Sequence, residues 1–172
     1  AGNLPTPDSF TYGDTANISI GQGDVLATPL QVADMVATIA NGGIKNEVNI
    51  VDSLVDSKGN TVKVIKKNKG ERIIDKEVCD KIKQLMEEVT VSGTGTRANL
   101  SEYGGAGGKT GSAETGQYIN GEKVVHAWFA GYFPRLDPKY SVSVFIEDGK
   151  SGGTIAAPVF EEIAKTILKK GF

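Results

Sequence analysis

The run Val124-Val125-His126-Ala127-Trp128-Phe129-Ala130-Gly131-Tyr132-Phe133 constrains this chain more than any other stretch, because it is apolar on both faces. A strand with one wet face alternates apolar and polar residues. Here Val125, Ala127 and Phe129 point one way and Trp128 and Ala130 the other, so the strand has to be covered on both sides. The chain has 172 residues, 39% hydrophobic and 23% charged, which is one ordinary globular domain with enough length for a substantial core.

The flanking sequence supplies the cover. Pro134 to Pro138 turns the chain, and Tyr140 to Glu147 alternates with Val142, Val144 and Ile146 on one face. A helix is expected from Thr28, with Pro29 as its first residue, Gln31 closing a capping box, and Leu30, Ala33, Val36, Ala37 and Ala40 as its stripe. Gly42-Gly43 gives it a left-handed exit. A second helix starts at Asp75, carries Val78, Ile82, Leu85, Met86 and Val89 as its apolar stripe, and ends at Gly93. Cys79 beside that stripe reads as buried packing. Pro158 opens a last helix with Val159, Phe160, Ile163, Ile167 and Leu168 inward, Glu161 and Glu162 near its positive end, and Lys165, Lys169 and Lys170 near its negative end. Residues 1–17, with Pro5, Pro7, Asp8 and Gly13, read as an extended loop. Residues 47–65 read as a hairpin turning at Asp56-Ser57-Lys58-Gly59-Asn60. Lys66, Lys67, Lys69 and Arg72 read as a solvated loop, and residues 93–108 as a flexible one. The expected fold class is α+β, a three-stranded antiparallel sheet flanked by helices.

Several functions are excluded early. A net charge of -2 gives no footprint for nucleic acid. One cysteine and one histidine build neither a disulfide nor a zinc centre, and nothing else calls for a metal or cofactor. No apolar run approaches the ~20 residues that cross a bilayer, and no signal peptide is visible. The chain opens in loop-like sequence at Ala1-Gly2-Asn3-Leu4-Pro5, which reads as a piece of something longer.

Chemistry concentrates in Gly107-Gly108-Lys109-Thr110-Gly111-Ser112-Ala113-Glu114, a lysine and two hydroxyls behind a run of small residues. The small residues from Gly104 to Gly108 leave the backbone open to close approach by another molecule. A phosphate loop would need glycine at position 103, which is Tyr103, and a helix after the lysine, where the sequence reads as strand. The other reading is one wall of an acyl-transfer cleft. An ammonium beside hydroxyls holds a carboxylate, Gly111 lets a peptide lie alongside as an added strand, and free backbone N–H groups stabilise an oxyanion.

Lys-Thr-Gly is a signature of penicillin-binding proteins and serine β-lactamases. The resemblance extends beyond the triplet. Ile20-Gly21-Gln22-Gly23 followed by Ala27-Thr28-Pro29-Leu30-Gln31-Val32-Ala33 resembles the helix entry of class B penicillin-binding proteins, the elongation and sporulation branch. Gly108 to Glu114 is similar to their third active-site motif, with Ser112 where threonine is more usual. His126 to Tyr132 resembles the strand that follows, and Gly152-Gly153 with Ala156-Ala157-Pro158 the entry to the final helix. The matches run in order from about residue 16 to the C-terminus.

The resemblance implies a D,D-transpeptidase that cross-links peptidoglycan stem peptides through a serine acyl-enzyme and is acylated by β-lactams, on the extracytoplasmic face of the bacterial membrane. It implies the penicillin-binding protein/serine β-lactamase-like transpeptidase fold. Lys109 is then expected near the nucleophile, contributing positive charge. Thr110 and Ser112 would bind the terminal carboxylate of donor peptide or β-lactam along the strand at Gly111, and the Ser112 backbone N–H would be half of the oxyanion hole.

The family's nucleophile is the serine of Ser-x-x-Lys, supported by Ser-x-Asn. No serine here, from Ser9 to Ser151, has lysine three residues on or asparagine two residues on. Residues 1–172 are therefore expected to be the C-terminal part of a transpeptidase domain, without its nucleophile-bearing N-terminal part and inactive alone. The edge of the last strand, left bare without that remainder, would favour self-association. A non-catalytic binding or structural module of the same type, or a serine β-lactamase, is the alternative. His126, Trp128 and the pair Glu114 and Glu147 read as structural rather than catalytic.

Overall fold

The computed structural model describes residues 2–6, 11–66 and 69–171. Its helices are α1 (Tyr12–Ile18), α2 (Pro29–Ala40), α3 (Lys76–Val91) and α4 (Ala157–Lys170). Its strands are β1 (Ile44–Lys45), β2 (Ser53–Val55), β3 (Thr61–Val64), β4 (Glu71–Arg72), β5 (Gly107–Ile119), β6 (Glu122–Phe133) and β7 (Tyr140–Ile146). The readings made for Pro7, Asp8 and Lys67 lie outside the described residues.

The doubly apolar run is β6, the middle strand of an antiparallel sheet ordered β5-β6-β7. Ala127, Phe129 and Phe133 on one face pack with Val144 of β7 and with Ala157, Phe160 and Ala164 of α4. Ala130 and Tyr132 on the other face pack with Val36, Ile39 and Ala40 of α2 and Met86 of α3. The Phe160 ring centroid lies 4.7 Å from that of Phe129 and 5.7 Å from that of Phe133. Burying each such ring contributes about 1.5–3 kcal/mol, so these contacts fix α4 to the sheet. β2 and β3 form the expected hairpin over the turn at Asp56 to Asn60. Thr28 and Gln31 make the expected capping box at α2.

Five readings are corrected. Residues 12–18 are α1, started by a second capping box in which the Thr11 hydroxyl accepts from the Asp14 N–H and the Asp14 carboxylate accepts from the Thr11 N–H. In α3 the inward positions are Cys79, Met86 and Thr90, whereas Val78 and Leu85 are exposed. Thr90 belongs inside because its hydroxyl donates to the Ala106 carbonyl at 2.7 Å. In α4, Ala157, Phe160 and Ala164 take the core, and Val159 and Ile163 stay partly exposed. Arg72 is no solvated loop residue: it sits in β4 opposite Ile44, with its guanidinium donating to the Gly42 and Ile74 carbonyls. Residues 93–108 hold two 3-10 turns, Thr96–Ala98 and Ser101–Tyr103, and bury Ala98 and Leu100 completely or nearly so.

Candidate functional site

The small residues ahead of Lys109 do not leave room for another molecule. A Cβ on Gly107 would lie 2.5 Å from the Tyr132 ring, and one on Gly108 would lie 2.5 Å from the Phe129 ring. The aromatic side chains of β6 fill that space, which corrects the expectation of open backbone there. Lys109 stands inside a strand, opposite Ala130, and no helix follows it, so the phosphate-loop reading has no structural support.

Beyond Gly108 the strand changes character. β5 is an edge strand, and Lys109, Thr110, Gly111 and Ser112 pair with Ala130, Phe129, Trp128 and Ala127. Lys109 and Ser112 are exposed and Thr110 and Gly111 half-buried. Two carbonyls of this segment accept from side chains. The Lys109 ammonium donates to Thr110 O at 2.8 Å, and the Gln22 carboxamide Nε2 donates to Ser112 O at 3.0 Å. They belong to alternate residues, and in an antiparallel ladder alternate residues turn both N–H and C=O to the same side. Thr110 and Ser112 therefore present their backbone groups to the free edge, while Lys109, Gly111 and Ala113 face β6.

The two hydroxyls share one face of β5 and are held from behind. Thr110 Oγ1 lies 2.7 Å from Thr94 Oγ1, and Ser112 Oγ accepts from the Gly152 N–H at 3.3 Å. Lys109 Nζ is also 3.5 Å from Thr110 Oγ1, so the ammonium and that hydroxyl converge. Gly152 opens the π-helical turn Gly152–Ala156 that leads into α4. A Cβ there would lie 2.4 Å from both Gly111 O and Trp128 O, and one on Gly153 would lie 2.4 Å from Thr94 O. Gly152 thus lets the turn lie directly on the backbone of the β5–β6 ladder, and Gly153 lets it lie against the backbone of the 93–98 loop. Arg97 donates to Thr154 O at 3.3 Å and ties the 93–98 loop to the same turn.

His126, Trp128 and Glu114 have structural partners, and Glu147 is exposed just past the end of β7. His126 accepts on Nδ1 from the Asp148 N–H at 3.2 Å and packs edge-on to Phe145. Trp128 is half-buried with its ring 4.6 Å from Phe145. Glu114 is paired with Lys123 at 2.8 Å, and that hydrogen bond, followed by the carboxylate's charge, holds Lys123 above its ordinary value. Burial, followed by the charge of Glu87, pushes the Tyr132 phenol above its ordinary value. Among the described residues no cluster of His, Cys, Asp and Glu suits a metal ion, and no helix is long and apolar enough to cross a membrane.

Gln22, Thr94 and Gly152 contact the Thr110 to Ser112 segment, and none was assigned a role from sequence. Gln22 and Gly152 sit in the motifs quoted above. Thr94 sits between two glycines with no local pattern pointing to residue 110.

The chain is similar to known proteins over most of its length. The profile of the penicillin binding protein transpeptidase domain covers residues 1–165. Peptidoglycan D,D-transpeptidase PbpA of Mycolicibacterium smegmatis is 35% identical over 161 residues, 89% of this chain and 32% of that protein. Penicillin-binding protein PbpB of the same organism is 32% identical over 188 residues, 99% of this chain and 28% of that one. Among solved structures, the imipenem acyl-enzyme complex of penicillin-binding protein A from M. tuberculosis superimposes with a TM-score of 0.77 at 30% identity, covering 88% of this chain and 33% of that one. The chain spans about a third of the length of these relatives. With the match covering most of its residues and the Lys109 to Ser112 edge in place, the chain belongs to the penicillin-binding protein transpeptidase family, in its class B branch.

Proposed function

We propose that residues 1–172 form the Lys-Thr-Gly wall of a peptidoglycan D,D-transpeptidase, with the activating serine contributed from outside this chain. The observation that carries this reading is the outward direction of the Thr110 and Ser112 backbone groups at the free edge of β5. An extended stem peptide adds to that edge as a strand. The Thr110 and Ser112 hydroxyls receive its terminal carboxylate or that of a β-lactam, and Lys109 offsets the charge. The Ser112 N–H, on the same side as its carbonyl, is one donor to the oxyanion that forms when serine attacks the penultimate carbonyl. Serine in place of threonine keeps the hydroxyl and drops a methyl, loosening rotamer control without removing the donor.

PbpA is named a peptidoglycan D,D-transpeptidase, which supports the substrate, and penicillin-binding protein A is solved as an imipenem acyl-enzyme, which supports β-lactam acylation. Action on the extracytoplasmic face of the membrane follows from a peptidoglycan substrate. The free edge of β7 is the surface on which the rest of the domain would pair, and copies of the isolated chain would associate there.

Labelling with a fluorescent penicillin tests the reading. The native full-length protein forms a covalent adduct, and the isolated 172-residue chain forms none. An adduct on the isolated chain contradicts the assignment of the nucleophile elsewhere. A full-length protein that stays unlabelled favours the non-catalytic module.

A further inference from the structure

The Ser112 carbonyl at the β5 edge is already occupied. The Gln22 carboxamide donates to it at 3.0 Å across 90 residues of sequence. Gln22 reaches it from a turn built on the end of α1, where the Gln22 N–H donates to Asn17 O and the Gly21 N–H to Ile18 O, each at 2.9 Å. Gly21 at φ +76° and Gly23 at φ +98° bracket the residue in left-handed backbone. A primary-amide N–H and a peptide N–H are the same kind of neutral donor, so the side chain fills the place that the amide of an added strand would take. The segment carrying it is lightly held, since α1 buries no residue and Tyr12 is 99% exposed. Withdrawing it disturbs little of the core.

We propose that Gln22 is a specificity-determining residue that caps the ligand-docking edge. A ligand whose amide N–H pairs with Ser112 O binds by displacing the Gln22 carboxamide, and a ligand without that amide leaves it in place. The inference rests on the reading of β5 as the docking strand. Capping keeps a sheet-edge acceptor satisfied while the site is empty and is exchanged for an equivalent bond on docking. Its effect is a fixed penalty on amide-bearing ligands, whose affinity is reduced in proportion to the fraction of time the edge is uncapped.

The test compares acylation rates of the native full-length protein and its Gln22→Ala and Gln22→Met variants with two probes. Benzylpenicillin carries a side-chain amide N–H; a carbapenem with a hydroxyethyl substituent has no amide at that position. Removing the cap should raise the second-order rate with benzylpenicillin about two- to tenfold, the worth of one neutral hydrogen bond, and leave the carbapenem rate unchanged. Gln22→Met, similar in length without a donor, should match Gln22→Ala if the donor rather than bulk matters. A fall or no change with benzylpenicillin, or an equal change with both probes, overturns the inference while leaving the docking strand intact. A wild-type protein acylated by neither probe overturns the docking strand and the inference together.

Discussion

The first two residues of β5 and the four that follow are alike in small or polar composition and have opposite roles. Gly107 and Gly108 are buried because Tyr132 and Phe129 press on them from β6; on the same strand Thr110 and Ser112 turn their backbone groups to the outer edge. Glycine therefore has two meanings within a few residues. At 107 and 108 its missing side chain is space used by the core, at 111 it leaves room for the Trp128 side chain, and at 152 it lets turn and strand backbones touch. The site is rigid at one end because the core claims it, and available at the other because, among the described residues, no strand pairs with that edge.

The comparison breaks most readily at the ring that holds the buried half. Phe129→Ala should cost about 3–5 kcal/mol in chemical denaturation, because it empties the space between Gly108, Gly95 and Phe160. Gly108→Ala should cost about 1–3 kcal/mol by overpacking the same ring, measured in the same way. Gly116→Ala, near the far end of the strand, sharpens the contrast. Nothing lies within 4 Å of its added Cβ, so only the backbone at φ +74° resists, and the loss should be about 1 kcal/mol.

A smaller effect concerns pH. Burial holds the Tyr132 phenol above its ordinary value, so the folded state keeps that proton more tightly than the unfolded chain, whose phenol ionises near pH ~10. The stability this contributes is full below that pH and is lost as pH rises through the folded value. Tyr132→Phe should flatten that part of the alkaline fall in melting temperature and leave melting near neutral pH little changed.

Much of the scaffold was legible because its signals are local. Thr28-Pro29-Leu30-Gln31 carries its own capping box, and the doubly apolar β6 announced its two covering layers. α1 was missed although Thr11 and Asp14 make the same box, because it buries no residue and so shows no apolar period. The phase of α3 was misread because Thr90, a polar side chain, faces inward, where its hydroxyl is satisfied by the Glu87 carbonyl of its own helix and by the Ala106 carbonyl 16 residues away. In the site, Lys109 to Ser112 was readable as a motif, but its partners were not. Thr94 and Gln22 reach it through tertiary hydrogen bonds that no spacing encodes.

The central claim is that the outward edge from Lys109 to Ser112 binds a carboxylate-bearing ligand lying along the strand. The most direct measurement is the second-order rate of benzylpenicillin acylation of the native full-length protein with Thr110→Val and Ser112→Ala combined. Losing hydrogen bonds to a charged group should slow acylation at least about tenfold, while melting shifts by no more than ~4 °C. Wild-type rates in the double variant would contradict the account.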